Sequence, residues 1–412
     1  MLTQAQVLIV GSELLEGRRR DINLSFLAPR LARLGIPVQG CRIVPDIPGV
    51  LPVAIQELAT PGTLIVTTGG LGPTRDDLTR FEVAEAFGLG TVFSEVAKDH
   101  LHAWAARAGR QISDTGLIQC ELPVGAEPLD NPRGTAMGIW LEHGNGVIVS
   151  LPGVPSEVQS IWDAGLETRL QQGGVEAQLV SFFTSGLGEG IQEKRMTGID
   201  WPEGVDFCSL PGIYGVEIQL SCRLEDVAEA RRRVELARER LLPVLTPHVI
   251  EPLGLNPAQA LVATLKERGL KVAFAESCTA GLGSGALASV PGSSAVLDGS
   301  IVAYANRVKT EFLKVPEEVV AANGAVSQPV VEAMAEGVCA LFGADLGLSA
   351  SGVAGPDGGT PEKPVGTVWL GASFQGRTVS EKLTTFGSRD EVRNRAAWRL
   401  IVLGLRLVQG RL

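Results

Sequence analysis

The chain has 412 residues, 45% hydrophobic and 20% charged, an ordinary soluble globular balance with room for roughly two to four domains. A formal net charge of −10 disfavours wholesale phosphate binding by charge and leaves room only for a local basic patch. No apolar run approaches the roughly 20 residues that span a bilayer. The start at Met1 is not that of a signal peptide. The scattered Cys41, Cys120, Cys208, Cys222, Cys278 and Cys339 show no zinc or disulfide spacing, which fits a reducing cytoplasm.

Ala5–Val10 and Thr63–Thr68 are short apolar runs, rich in β-branched residues, that each end in glycine and predict strands. Between them Leu24–Leu34 has helical spacing closed by Gly35. This alternation predicts a parallel sheet with ligands at the C-terminal ends of its strands. The second strand opens into Gly69-Gly70-Leu71-Gly72-Pro73-Thr74-Arg75-Asp76-Asp77-Leu78-Thr79. Glycines let a ligand's phosphates reach the backbone, and the helix that follows adds a partial positive charge. Asp76 and Asp77 would repel a bare phosphate. Either a divalent metal lies between them and the ligand, or both cap the first turn of the helix.

From Gln178 onward the expected order is β-α-β-β-α: strands at Gln178–Thr184, Val205–Leu210 and Gly215–Arg223, with helices at Gly188–Arg195 and Val227–Leu242. The last helix carries Arg231, Arg232, Arg233, Arg238 and Arg240 on one face. The Gly186-Leu187-Gly188-Glu189-Gly190 loop is acidic, a poor match to a nucleic-acid-binding loop, so a spacer or dimerisation role is expected. Pro243, Pro247, Pro252 and Pro257 mark a linker.

Beyond it, Ala275-Glu276-Ser277-Cys278-Thr279-Ala280-Gly281 joins a predicted strand, Leu270–Phe274, to a predicted helix of small residues, Gly281–Ala288. A hydroxyl at such a turn is expected to be exposed, with the N–H groups around Thr279 to Gly281 placed to receive an oxyanion. A second strand, Ser300–Tyr304, leads into Asn306 and Lys309. No histidine lies beyond His248, so a Ser-His-Asp triad within this region is excluded. Ser277 paired with Lys309 or Tyr304 remains, the lysine only if burial or a nearby cation lowers its pKa. The plainer alternative makes Ser277 an N-cap and Lys309 a solvated surface lysine, and Cys278 is a rival nucleophile.

These motifs, together with Pro291-Gly292-Ser293-Ser294, Gly324-Ala325-Val326-Ser327, Ser351–Gly359, Lys363–Val368 and Phe386-Gly387-Ser388-Arg389, resemble the nicotinamide-nucleotide amidase (PncC-type) domain of the CinA family. Gly11–Gly17, Asp21 with Asn23, the Gly69–Thr79 run, Asn131-Pro132, Gly134-Thr135-Ala136 and Leu151–Glu157 resemble the family's N-terminal domain, which is similar to MoaB/MogA-like molybdopterin-binding folds. The resemblance implies an α/β protein in three parts. These are a MoaB/MogA-like domain with a parallel sheet over 1–168, a small α+β KH-like linker or dimerisation domain over 169–252, and an α/β amidase domain over 253–412.

The activity implied for the C-terminal part is hydrolysis of nicotinamide mononucleotide to nicotinate mononucleotide and ammonia, with no cofactor. Ser277 matches the nucleophile, Lys309 and Tyr304 the base and proton relay, and Ser351 and Thr279 supporting hydroxyls. Gly281, Asn306, Gly355 and Arg389 match substrate-binding positions, Arg389 suiting the phosphate. For the N-terminal part the resemblance implies hydrolysis or binding of ADP-ribose with a divalent metal (Mg, Mn or Co). Asp76 and Asp77 would hold the metal with Glu13 nearby, and Gly70, Gly72, Thr74, Asn131, Gly134 and Thr135 would line the pocket. A cytoplasmic homodimer without membrane or nucleic-acid partners is expected. The alternatives are a competence- or DNA-damage-linked interaction protein and a molybdopterin-binding protein. Departures from the family pattern include Ala280 for Gly, Ala305 for Ser, Ser351 for Thr, Phe81 for an acidic residue and Met137 for Pro.

Overall fold

A computed structural model describes residues 2–144, 146–171 and 177–412. The chain gathers into two compact units, residues 1–178 with 222–231, and 179–221 with 232–412. Among the described residues no helix is long and apolar enough to cross a membrane.

The first unit holds β1 (Gln4–Val10), α1 (Asn23–Arg33), β2 (Val38–Val44), α2 (Val50–Leu58), β3 (Thr63–Thr68), α3 (Thr79–Ala86), α4 (Glu95–Ala108), β4 (Glu127–Leu129), β5 (Gly138–His143), β6 (Gly146–Leu151) and α5 (Pro155–Ile161). Its sheet runs β2-β1-β3-β6-β5-β4. The β2-β1-β3-β6 core is parallel, and β5 and β4 continue it antiparallel. Period-two alternation sorts the strands onto two cores. Ala5, Val7 and Ile9 meet Leu27 and Leu31 of α1 and Val158 and Ile161 of α5, while Leu8 and Val10 face Leu51 and Ile55 of α2 and Val83 of α3. Every residue of β3 is buried, as a central strand covered on both faces requires. The predicted helix at 24–34 is α1, with Gly35 just beyond it at φ 80°.

The middle region forms its own three-stranded sheet, in the order β8 (Val205–Gly212), β9 (Gly215–Cys222), β7 (Gln178–Thr184). It carries helices α6 (Glu189–Met196) and α7 (Val227–Leu245). Val216, Ile218 and Leu220 are buried in alternation along β9, and α7 buries Val234, Ala237, Leu241 and Leu245 at helical spacing.

The C-terminal region contains α8 (Pro257–Arg268), β10 (Val272–Glu276), α9 (Leu282–Ala288), β11 (Leu297–Val302), α10 (Asn306–Glu311), α11 (Gln328–Phe342), β12 (Leu346–Gly352), β13 (Thr367–Phe374), β14 (Arg377–Thr384) and α12 (Arg389–Val408). Its sheet runs β11-β10-β12-β13-β14, the first three strands parallel and the rest antiparallel. Val272 and Phe274 of β10 pack towards α8 and α12, whereas Ala273 and Ala275 face Val330, Met334 and Val338 of α11. A Cβ at Gly347 on β12 would strike the Ala335 carbonyl, so that glycine sets how closely α11 lies on the sheet. Because β11 and β12 flank β10 on opposite sides, the C-terminal end of β10 is a topological switch point, where open α/β sheets place their ligands.

The ends of α8 and α12 are closed by capping boxes, Asn256 with Gln259 and Ser388 with Glu391. Replacing Asn256 by Ala removes acceptors for the Ala258 and Gln259 N–H groups and is expected to cost about 1 kcal/mol of stability. Urea melts monitored by circular dichroism should show it as a lower midpoint.

Candidate active site and nucleotide cleft

The backbone leaves the sheet at Ser277, whose N–H donates to the Ala350 carbonyl of β12 at 2.8 Å. Contrary to the sequence expectation, Ser277 is only 9% exposed. It is not an N-cap either, because α9 begins five residues later, at Leu282, with Gly281 as its N-cap. The solvated-lysine alternative also fails. Lys309 is 1% exposed, and its Nζ lies 3.2 Å from Ser277 Oγ, 2.7 Å from the Ala303 carbonyl and 3.3 Å from the Tyr304 carbonyl. None of these partners carries a charge, and burial holds the Lys309 pKa below the ordinary lysine range. A neutral amine has two N–H bonds and one lone pair. Here two carbonyls can accept the N–H bonds, leaving the lone pair for the Ser277 hydroxyl.

Cys278 is a poor rival. Its thiol is buried and pushed up to about 12, chiefly by desolvation, so almost no thiolate exists near neutrality.

The expected anion-receiving amides are rearranged. Glu276, fully buried at the end of β10, turns its carboxylate into the N-terminus of α9. There it accepts the N–H groups of Gly281 and Gly283 at 3.0 Å and of Ser284 at 2.8 Å. The protein's own carboxylate therefore occupies the Gly281 amide, one of those expected to receive the oxyanion. The Cys278 and Thr279 amides donate to no oxygen among the described residues, and the nearest acceptor to both is the Cys278 sulfur. Arg393 of α12 braces this turn, donating from Nε to the Cys278 carbonyl at 3.1 Å and from Nη2 to the Thr279 carbonyl at 3.2 Å.

The other sequence-chosen residues sort into a rim and a frame. Tyr304 is exposed, with its hydroxyl 2.9 Å from Arg389 Nη2, and Arg389 Nη1 donates to the Gly355 carbonyl at 2.6 Å. Asn306 opens α10 at the surface. Ser351, buried, donates to the Ala325 carbonyl at 2.7 Å and makes no bond to Ser277. Thr279 is fully buried, and its hydroxyl has no partner among the described residues.

In the first unit the glycine loop after β3 fills itself. A Cβ at Gly70 would meet Thr79 Oγ1, and one at Gly72 would meet the Asp77 carboxylate, which accepts the Thr74 N–H at 2.8 Å and the Thr74 hydroxyl. Beneath the loop lies Arg80, 1% exposed, donating to the Leu71 and Gly72 carbonyls, its pKa lowered to about 10 by burial. These glycines leave the room that the Thr79 and Asp77 side chains use to close the loop. Asn131 is likewise fully buried and committed. Its amide donates to the Ala136 carbonyl and Glu157, and its oxygen accepts the Arg133 and Gly134 N–H groups.

Of the expected pocket residues, Thr74, Gly134 and Thr135 line a cleft of about 510 Å³. Trp104, Arg110 and Arg133, none chosen from the sequence, line it too. Glu13 lies apart, in a smaller cleft with Asp21 and Asn23. Among the described residues no group of three or more His, Cys, Asp or Glu side chains could hold a metal ion. Asp76, Asp77 and Glu13 thus do not by themselves form such a group, and a metal held there would need oxygens from a ligand.

Glu276 was legible in principle, since a carboxylate ending a buried apolar strand needs donors. Arg393 is one helical turn beyond Arg389, and only the packing of α12 shows what it reaches. Ala280 sits at φ 49°, in the left-handed region where glycine is favoured, so its methyl strains the turn. Ala280→Gly is expected to raise stability by about 1 kcal/mol, read as a higher urea midpoint.

Two family models match the chain, one described as "CinA C-terminal domain" over residues 255–405 and one as "Probable molybdopterin binding domain" over residues 6–172. A CinA-like protein of Geobacter metallireducens is 36% identical over 397 residues, 94% of this chain and 95% of that protein. A CinA-like protein of Gemmatimonas aurantiaca is 35% identical over 402 residues, 95% of this chain and 93% of that one. The solved competence/damage inducible protein CihA of Agrobacterium tumefaciens is 34% identical, covering 38% of this chain and 98% of its own, with a TM-score of 0.35. Matched along nearly its whole length by such relatives, the chain belongs to the CinA family.

Proposed function

We propose that the C-terminal region is a serine amidase that converts nicotinamide mononucleotide to nicotinate mononucleotide and ammonia. The observation that carries this reading is the Ser277–Lys309 pair: a hydroxyl at a switch point, 3.2 Å from a buried amine whose other partners are neutral carbonyls.

Ser277 Oγ attacks the carboxamide carbon as its proton passes to Lys309 Nζ, and the C–O bond forms while the carbonyl π pair moves to oxygen. The Cys278 and Thr279 amides receive that oxyanion, in place of the Gly281 amide held by Glu276. Lys309 then gives the proton to the amide nitrogen, the C–N bond breaks and ammonia leaves. Water, deprotonated by the same amine, cleaves the acyl-serine. Arg389 and Tyr304 stand at the rim, where a phosphate attached to the substrate's ribose would be met by a guanidinium and a hydroxyl. The base role falls to Lys309, because Tyr304 directs its hydroxyl to Arg389.

For the N-terminal unit we propose ADP-ribose binding in the Thr74–Gly134–Thr135 cleft. Asp76 and Asp77 would hold a divalent metal only with the ligand's phosphates completing its shell, and no step is routed through one. A cytoplasmic homodimer is the expected form.

The deciding assay is ammonia release from nicotinamide mononucleotide. Ser277→Ala should abolish it while leaving ADP-ribose binding intact, and Cys278→Ser should retain it within a few-fold. Loss with Cys278→Ser and survival with Ser277→Ala would overturn the serine reading.

The pH profile tests the base. Lys309 works when deprotonated and its folded pKa is lowered, so kcat/KM should rise with pH to a plateau whose midpoint lies below the ordinary lysine value. Lys309→Met should remove the activity together with that limb, and a limb that survives the substitution would assign the base elsewhere.

A further inference from the structure

Trp104, on α4, forms part of the wall of the 510 Å³ cleft beside the apolar Leu101 and Ile112. Its indole N–H donates to the Arg133 carbonyl at 3.3 Å, which fixes the ring against the loop that carries Gly134 and Thr135. The Arg110 guanidinium stands over the same ring, 5.7 Å from its centroid. Elsewhere in this unit arginines close down on aromatic rings to 3.7 Å, Arg30 on Phe26, and 4.0 Å, Arg169 on Trp140. Arg110 is therefore not spent on a tight stack. Arg110 and Arg133 are both exposed, and neither has an ion-pair partner among the described residues. The carboxylate on the wall, Glu157, is held by Asn131 Nδ2 at 2.8 Å, and burial pushes its pKa up, which weakens its repulsion of an anion.

A flat aromatic surface and two cations without an ion-pair partner among the described residues, in one cleft, match a ligand that joins a planar base to phosphates. We infer that Trp104 is the stacking platform for the base of a nucleoside diphosphate and that Arg110 and Arg133 hold its phosphates, an assignment that rests on the nucleotide reading of this unit. The base is the part of the ligand that ribose 5-phosphate lacks, so the two ends can be tested separately.

Isothermal titration calorimetry on the full chain, with ADP-ribose, ADP and ribose 5-phosphate, makes that test. ADP and ADP-ribose should bind the parent chain. Trp104→Ala should weaken both by roughly 5- to 150-fold, the range that removing one base–aromatic stack gives, with ribose 5-phosphate unchanged. Trp104→Phe should keep most of the affinity, which separates stacking from a folding defect. Arg110→Ala combined with Arg133→Ala should weaken all three ligands and flatten the salt dependence of binding. Full affinity of ADP for Trp104→Ala, or equal losses in the Ala and Phe variants, would overturn the platform while the nucleotide reading stands. Failure of ADP-ribose and ADP to bind the parent chain would overturn that reading, and the platform with it.

Discussion

The chemistry of the C-terminal site depends on the burial of one amine. Lys309 has given up bulk water for three neutral oxygens, and a full positive charge there is poorly compensated. The neutral form is favoured, and it is the form that can take a proton from Ser277. Stability is linked to the same group. Between the lowered folded pKa and the ordinary lysine value the unfolded chain binds more protons, so this contribution to stability rises with pH across that window and is lost as pH falls through it.

Around that amine the strand-to-helix turn is tied from both sides. Glu276 satisfies the first N–H groups of α9, which would otherwise be orphaned in a buried place, and Arg393 satisfies the two carbonyls that point the other way. With both sets engaged, the backbone between them is held while its Cys278 and Thr279 amides stay uncommitted to oxygen. Glu276 and Arg393 touch no reacting atom. They are positioning residues: Glu276 is met by backbone N–H groups, and Arg393 by two backbone carbonyls and the Asp390 carboxylate at 3.3 Å.

The first unit follows a different economy. Its glycine loop and the Asn131 turn consume their own hydrogen-bonding capacity in closing, with Arg80 as the buried tie beneath. What remains for a ligand comes from α4 and from the side chains flanking the turn, where Trp104, Arg110 and Arg133 stand. A loop can thus frame a site through its rigidity while other segments supply the contacts.

The elements and the candidate pair were legible in the amino-acid order alone. The apolar runs Ala5–Val10, Thr63–Thr68 and Leu270–Phe274, and the helical spacing in 24–34 and 227–242, are local signals of segments that must bury side chains, so they survive without knowledge of the fold. Ser277 and Lys309 were named by type and motif. Which alternative held for them was not legible, since solvated and buried lysines are written with the same letter. Only the tertiary structure decided that Lys309 loses its water and that Tyr304 meets Arg389, whereas the contact of Glu276 with the Gly281 amide lies within one short segment. In the first unit, tertiary structure likewise separated glycines that close a loop from residues that face a cleft, and it set Glu13 apart from Asp76 and Asp77. Desolvation and convergence are properties of distances between segments far apart in the chain, and local sequence carries no record of them.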